Sequence, residues 1–150
     1  IGFNYGARQY PRVRRTYRLA ITCSFVISSI GFILFQFFPY QIIFPFGKGD
    51  ALYYEFAIHF MRTFLFMVIV NGVQLISSNF FSAIGKPVKG LLLSMTRQVF
   101  FLIPLVLILP LFAGIDGILY AGPVADGIAF VVSVALISLE MKEMRQLERE

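Results

Sequence analysis

Seven side chains could do chemistry in a setting that is otherwise apolar: Glu55, His59, Arg62, Asn71, Gln74, Arg97 and Asp126. Asp126 is the only charged residue between Gly117 and Leu139. On a helix it would lie about 13 Å along the axis from Gly117, close to the midplane of a bilayer. A bare carboxylate at that depth is untenable, so it is either held protonated or paired with a cation. Both states suit coupling to H⁺ or Na⁺. The structural alternative is a buried acid hydrogen-bonded across a helix interface, because Gly122, Ala129 and Ser133 share its face and let another helix approach.

Glu55, His59 and Arg62 stand at i, i+4 and i+7, within about 60° of arc on one helix, with Phe66 continuing the stripe. Such a face cannot look at lipid tails. It reads either as a local Glu55–Arg62 ion pair bridged by His59, or as part of a gate or proton-linked site facing a cavity. Asn71, Gln74 and Ser78 recur on a different face, about 100° to 160° round from Glu55. Uncharged amides there serve either as interhelical hydrogen bonds or as contacts along a route. Arg97, with Ser94 and Gln98 beside it, reads as a snorkelling cation, a partner for an acid on an absent segment, or a substrate contact in the cavity. Pro104 and Pro123 should leave the carbonyls of Phe100 and Leu119 without their usual helical donors.

The elements that must hold these groups follow from composition. Of 150 residues, 58% are hydrophobic and 14% charged, with 18 Phe and 7 Tyr, at a mean hydropathy of +0.79. Soluble domains carry roughly a quarter of charged residues, so this is an all-α, polytopic membrane protein. Four apolar spans are expected at about 19–38, 51–84, 90–113 and 117–139, with a tail at 140–150. Within the tail, Met144 and Leu147 fall one turn apart, and a solvated helix end is the preferred reading.

Charge position sets the expected topology. Arg8, Arg12, Arg14, Arg15 and Arg18 precede the first span, Lys86 and Lys89 lie between the second and third, and Lys142, Arg145 and Arg149 follow the fourth. The other two connections hold Lys48 with Asp50, and Asp116 alone. By the positive-inside rule both ends face the cytoplasm, and the arginine cluster reads as a loop beside a span rather than as a nucleic-acid site. The chain begins at Ile1 without Met or a signal-peptide pattern, and Gly2–Ala7 reads as the tail of something upstream.

No Walker A loop, HExxH or CxxC pattern occurs in the sequence, and a single His and a single Cys, Cys23, leave no multi-ligand metal site or intrachain disulfide. No nucleophile stands beside a base. The expectation is a protein without a cofactor and without enzymatic chemistry.

Gly2-Phe3-Asn4-Tyr5-Gly6-Ala7-Arg8, Ala83-Ile84-Gly85-Lys86-Pro87, Ser94-Met95-Thr96-Arg97-Gln98 and Tyr120-Ala121-Gly122-Pro123-Val124-Ala125-Asp126 together resemble the last third of a multidrug and toxic compound extrusion (MATE) transporter, of the bacterial MepA-like branch. The resemblance implies that the spans are helices nine to twelve of a twelve-helix protein in the bacterial inner membrane. Its two lobes would rock around a central cavity, completed by missing N-terminal segments of the same chain. Cationic or amphipathic drugs would leave in exchange for H⁺ or Na⁺. Asp126, with Glu55 and His59, would be the coupling candidates, and Arg62, Asn71, Gln74 and Arg97 the cavity contacts. The competing readings are a lipid-linked oligosaccharide flippase of the same superfamily and a small four-helix membrane subunit that works by packing against partners.

Overall fold

The computed structural model describes residues 1–46 and 49–149, and no strand occurs among them. Gly47 and Lys48 of the first outer connection, and Glu150 at the end of the tail, lie outside the described residues. A short helix α1 (Gly2–Gly6) leads into α2 (Tyr10–Phe37). Then come α3 (Pro39–Ile43), α4 (Ala51–Phe64), α5 (Val68–Ala83) and α6 (Pro87–Met95). A π-helical turn, Thr96–Leu102, joins α6 to the long α7 (Ile103–Leu147). Helix starts follow local chemistry. Proline stands in the first turn of α2, α3 and α6, where its missing N–H is no loss. Asp50 caps α4 by accepting from the Tyr53 backbone N–H at 2.9 Å.

Among the described residues, α2 and the run Pro87–Leu147 are long and apolar enough to cross a membrane, and α4 with α5 would make a further, bent span. Sixty-one residues of uninterrupted helix would reach about 90 Å, three times the hydrocarbon thickness. The run turns back on itself instead at Gly114, whose φ of 59° and ψ of −140° belong to a region essentially reserved for glycine. Arg97 on one arm then meets Asp126 on the other.

Three expectations need correction. The second span is not one helix to Ile84: it breaks between Phe64 and Val68 and bends by 47°, with neither Pro nor Gly at the break. Tight bonds replace the α pattern there, from Phe66 N–H to the Thr63 carbonyl and from Val68 N–H to the Leu65 carbonyl. The arginines at 12, 14, 15 and 18 are not in a loop, since α2 starts at Tyr10 and carries them on its first turns. Nor is the tail simply solvated, because Glu140 and Met144 are wholly buried.

Burial is concentrated at this basic end. Tyr10, Val13 and Tyr17 of α2 pack with Phe80, Phe81 and Ile84, with Leu93 of α6, and with Ile137 and Met144 of α7. Tyr17 and Phe80 meet edge to face at 4.9 Å, and the Tyr17 hydroxyl shares a buried 2.8 Å hydrogen bond with Ser77. Gly90 lets α6 press onto α5: a Cβ there would lie 2.6 Å from the Ser78 carbonyl oxygen, while the Ser78 hydroxyl donates to the Gly90 carbonyl at 2.7 Å. Elsewhere the chain shows an apolar exterior, with Ile27, Leu75, Leu107 and Val131 all exposed, as a surface facing lipid or further protein requires.

A lysine pair locks the tail. Lys86 Nζ donates to Glu140 at 2.5 Å and Glu143 at 3.2 Å, and Lys89 Nζ to Glu140 at 3.2 Å. Burial works to lower the Lys86 pKa, but its hydrogen bonds to Glu140 and Glu143 outweigh burial and raise it. Stability from a raised lysine is fully present below its unfolded value of 10.5 and is lost as pH rises through the folded value. In the full-length protein, Glu140→Gln should cost about 1–3 kcal/mol in a thermal or denaturant unfolding assay at neutral pH. The gap to wild type should close only above pH 10.5; equal stability at pH 7 would show that the lysines do not hold the tail.

Candidate functional site

The middle of the bundle holds a polar cavity of about 460 Å³ between α2, α5 and the α6–π junction. Ser24 and Ser28 line it from α2, Asn71, Gln74 and Ser78 from α5, and Ser94, Arg97 and Gln98 from the third arm. The wall is built by close backbone approach, since a Cβ at Gly72 would fall 2.0 Å from the Ser24 hydroxyl oxygen. Gln74 is buried, and its amide donates to the Leu93 carbonyl at 2.8 Å, where α6 begins to widen into the π turn. Its amide hydrogens serve helix packing. The Asn71 side chain makes no hydrogen bond to a described residue and lines the cavity wall.

Arg97 sits in the π turn, in which the Ile103 N–H reaches back to Gln98. The wider register directly precedes Pro104, the residue that cannot donate to the Phe100 carbonyl. Arg97 Nε donates to Asp126 Oδ1, with the arginine side chain 21% exposed and the aspartate 4%. Asp126 is therefore a buried carboxylate behind the cavity, and its counter-ion is the cavity's one cation. The expectation that Arg97 pairs with an acid on an absent segment is corrected: its partner is Asp126 of these same residues, brought level by the reversal at Gly114. Small residues on the Asp126 face behave as their size requires: Gly122 lies under the Phe64 ring of α4, and Ala129 and Ser133 are buried.

Arg62 goes elsewhere. The expected Glu55–His59–Arg62 cluster does not form. Glu55 and His59 are exposed on α4; neither makes an ion pair with a described residue, and neither lines the polar cavity. The three share the unbroken helix α4, but Arg62 is engaged by Gln36 of α2 instead. Because Phe66 N–H turns to Thr63, the Arg62 carbonyl loses its helical donor, and Gln36 Nε2 supplies one at 2.8 Å. In return Arg62 Nε donates at 3.0 Å to the Gln36 carbonyl at the end of α2. This reciprocal clasp edges a separate, smaller cavity of about 370 Å³ with Thr63, Phe66, Tyr120 and Pro123.

Asn71, Gln74, Arg97 and Asp126 are thus brought together, while Arg62, Glu55 and His59 are not part of that group. Sequence reasoning missed Ser24, Ser28 and Gln36. The Ser24–Ser28 pair at i, i+4 inside the first apolar run was the available signal for the cavity wall. Gln36 had no sequence signal, because its role depends on a break that no residue type announces.

An all-helical bundle with an apolar exterior and a polar cavity between its helices is the architecture of a helical membrane protein. The chain matches the MatE family over residues 1–108 and belongs to that family. A solved structure of the MATE multidrug transporter DinF-BH in complex with R6G is 34% identical, with a TM-score of 0.83 over 91% of this chain and 30% of that one. An outward-facing structure of a multidrug resistance MATE family transporter of the MOP superfamily shares the fold at 19% identity, with a TM-score of 0.88 over 97% and 33%. The chain thus spans about a third of the length of the solved transporters it matches. No curated protein matches it.

If the cavity holds water, its walls should be open to polar reagents. In the full-length protein with Cys23→Ser, Asn71→Cys should react with a charged thiol reagent at least about tenfold faster than Ser77→Cys, which is buried against Tyr17. Equal rates would mean a closed, dry site.

Proposed function

We propose that this chain forms the last four membrane helices of a twelve-helix secondary-active exporter in the bacterial inner membrane. Working by alternating access, it exchanges cationic or amphipathic drugs for H⁺ or Na⁺. The four-span count rests on the reversal at Gly114, which divides the run from Pro87 to Leu147 into two arms, with α2 and the bent α4–α5 pair as the other two. Both ends then face the cytoplasm by the charge of the flanks.

The observation that carries the reading is the Arg97–Asp126 pair beside the polar cavity. A proton or cation arriving at Asp126 removes the partner of Arg97, and a guanidinium freed at the cavity wall changes which ligands that cavity favours. Occupancy by ion and drug becomes competitive through one shared charge, which is the linkage an exchanger needs. A π turn under Arg97 is a helix defect of the kind that shifts register at small cost. The flippase reading asks for several free cations to meet a pyrophosphate; the single cavity guanidinium, already neutralised by Asp126, argues for drug transport.

Removing one partner leaves a buried charge, so Asp126→Asn in the full-length transporter should lower both dye efflux and thermal stability, the latter by about 3–5 kcal/mol. The double variant Arg97→Gln, Asp126→Asn should recover most of the stability but not the pH dependence of efflux. A double variant with wild-type pH-dependent efflux would reduce the pair to packing.

A further inference from the structure

The basic end of the bundle holds a cleft that the exchange mechanism does not use. A cavity of about 570 Å³ opens between the first turns of α2 and the last turns of α7, with Arg14 and Arg18 on one side and Lys142 and Arg145 on the other. Ile137 and Met141 give it an apolar wall. Arg14 is the anchored member. Its Nη2 donates to Glu148 at 2.7 Å, while its Nη1 is buried and finds no acceptor among the described residues. Arg18, Lys142 and Arg145 make no ion pair with a described residue. Four cations therefore face one carboxylate, and a buried guanidinium N–H lacks the acceptor that such groups almost always have.

We propose that this cleft seats the phosphate of an anionic phospholipid headgroup, which balances the charge of the four cations that line it. A lipid fits better than a free anion because the lining changes from charged to apolar along the helices. Leu19 follows Arg18 directly, and Leu139 lies a turn before Lys142, both exposed on the apolar surface. The cations thus sit where the hydrocarbon-compatible surface begins, at the depth of headgroup phosphates, and Ile137 and Met141 continue toward the acyl chains. The inference rests on the chain lying in a membrane and is independent of what is transported.

Native mass spectrometry of the full-length protein, titrated with phosphatidylglycerol against phosphatidylcholine, tests it. Wild type should retain phosphatidylglycerol at least about tenfold more strongly. Arg14→Gln should weaken that binding about fivefold, and Lys142→Gln with Arg145→Gln, both at exposed positions, by a further factor for each cation. Arg12→Gln with Arg15→Gln, which removes two cations outside the cleft, should leave the binding unchanged. Absence of the preference in wild type, which is also the result if an acidic segment of the same chain fills the cleft, overturns the proposal. So does an equal loss in the Arg12–Arg15 control, or displacement of the lipid by inorganic phosphate at matching affinity. Dye efflux is read separately, so failure here leaves the exchange reading standing.

Discussion

Backbone polarity is the constraint on which this structure depends. Hydrocarbon offers no water to an unpaired N–H or C=O, so each departure from α-helical bonding must be met by another protein group. The chain departs repeatedly, at the end of α2, between α4 and α5, and along the π turn after α6. At each place a side chain steps in. Gln36 and Arg62 exchange bonds across the first two breaks, and Gln74 caps the carbonyl at the onset of the third. These polar residues sit in apolar spans because the spans are broken.

That bookkeeping separates structural from functional polarity. Side chains spent on backbone repair have few donors left for a ligand, which applies to Arg62 and Gln74. Asn71, Ser24, Ser28 and Gln98 remain around the cavity, with the Arg97–Asp126 pair at its edge. Among the described residues, this buried pair is the charge arrangement in the middle of the bundle through which the proposed exchange would act. Its burial makes either charge alone costly, so the two states differ sharply in energy.

Much of the architecture was legible in the amino-acid order, since apolar runs of bilayer length and alternating basic flanks need no tertiary knowledge. Asp126 and Arg97 stood out for the same reason, as charges where lipid tolerates none. Their pairing was not legible, because it depends on how the arms on either side of Gly114 come level. The break after Phe64 was also hidden, since a helix without Pro or Gly gives no sign of interruption. Glu55, His59 and Arg62 do share one unbroken helix, but Arg62 is drawn off to the Gln36 carbonyl at the end of α2, a contact that no spacing along α4 reveals. The tail misled for a related reason: mixed charges look solvated until Lys86 and Lys89, 54 and 51 residues upstream of Glu140, come to meet it.

Those two lysines also have a history along the chain. During synthesis they leave the ribosome well before Glu140 exists, so while the hairpin they join is being threaded they are free cations, able to hold their turn on one side of the bilayer. Only when the final helix arrives do Glu140 and Glu143 neutralise them. Charges of the kind that steer insertion are then consumed by a clasp between the second-to-third turn and the last helix.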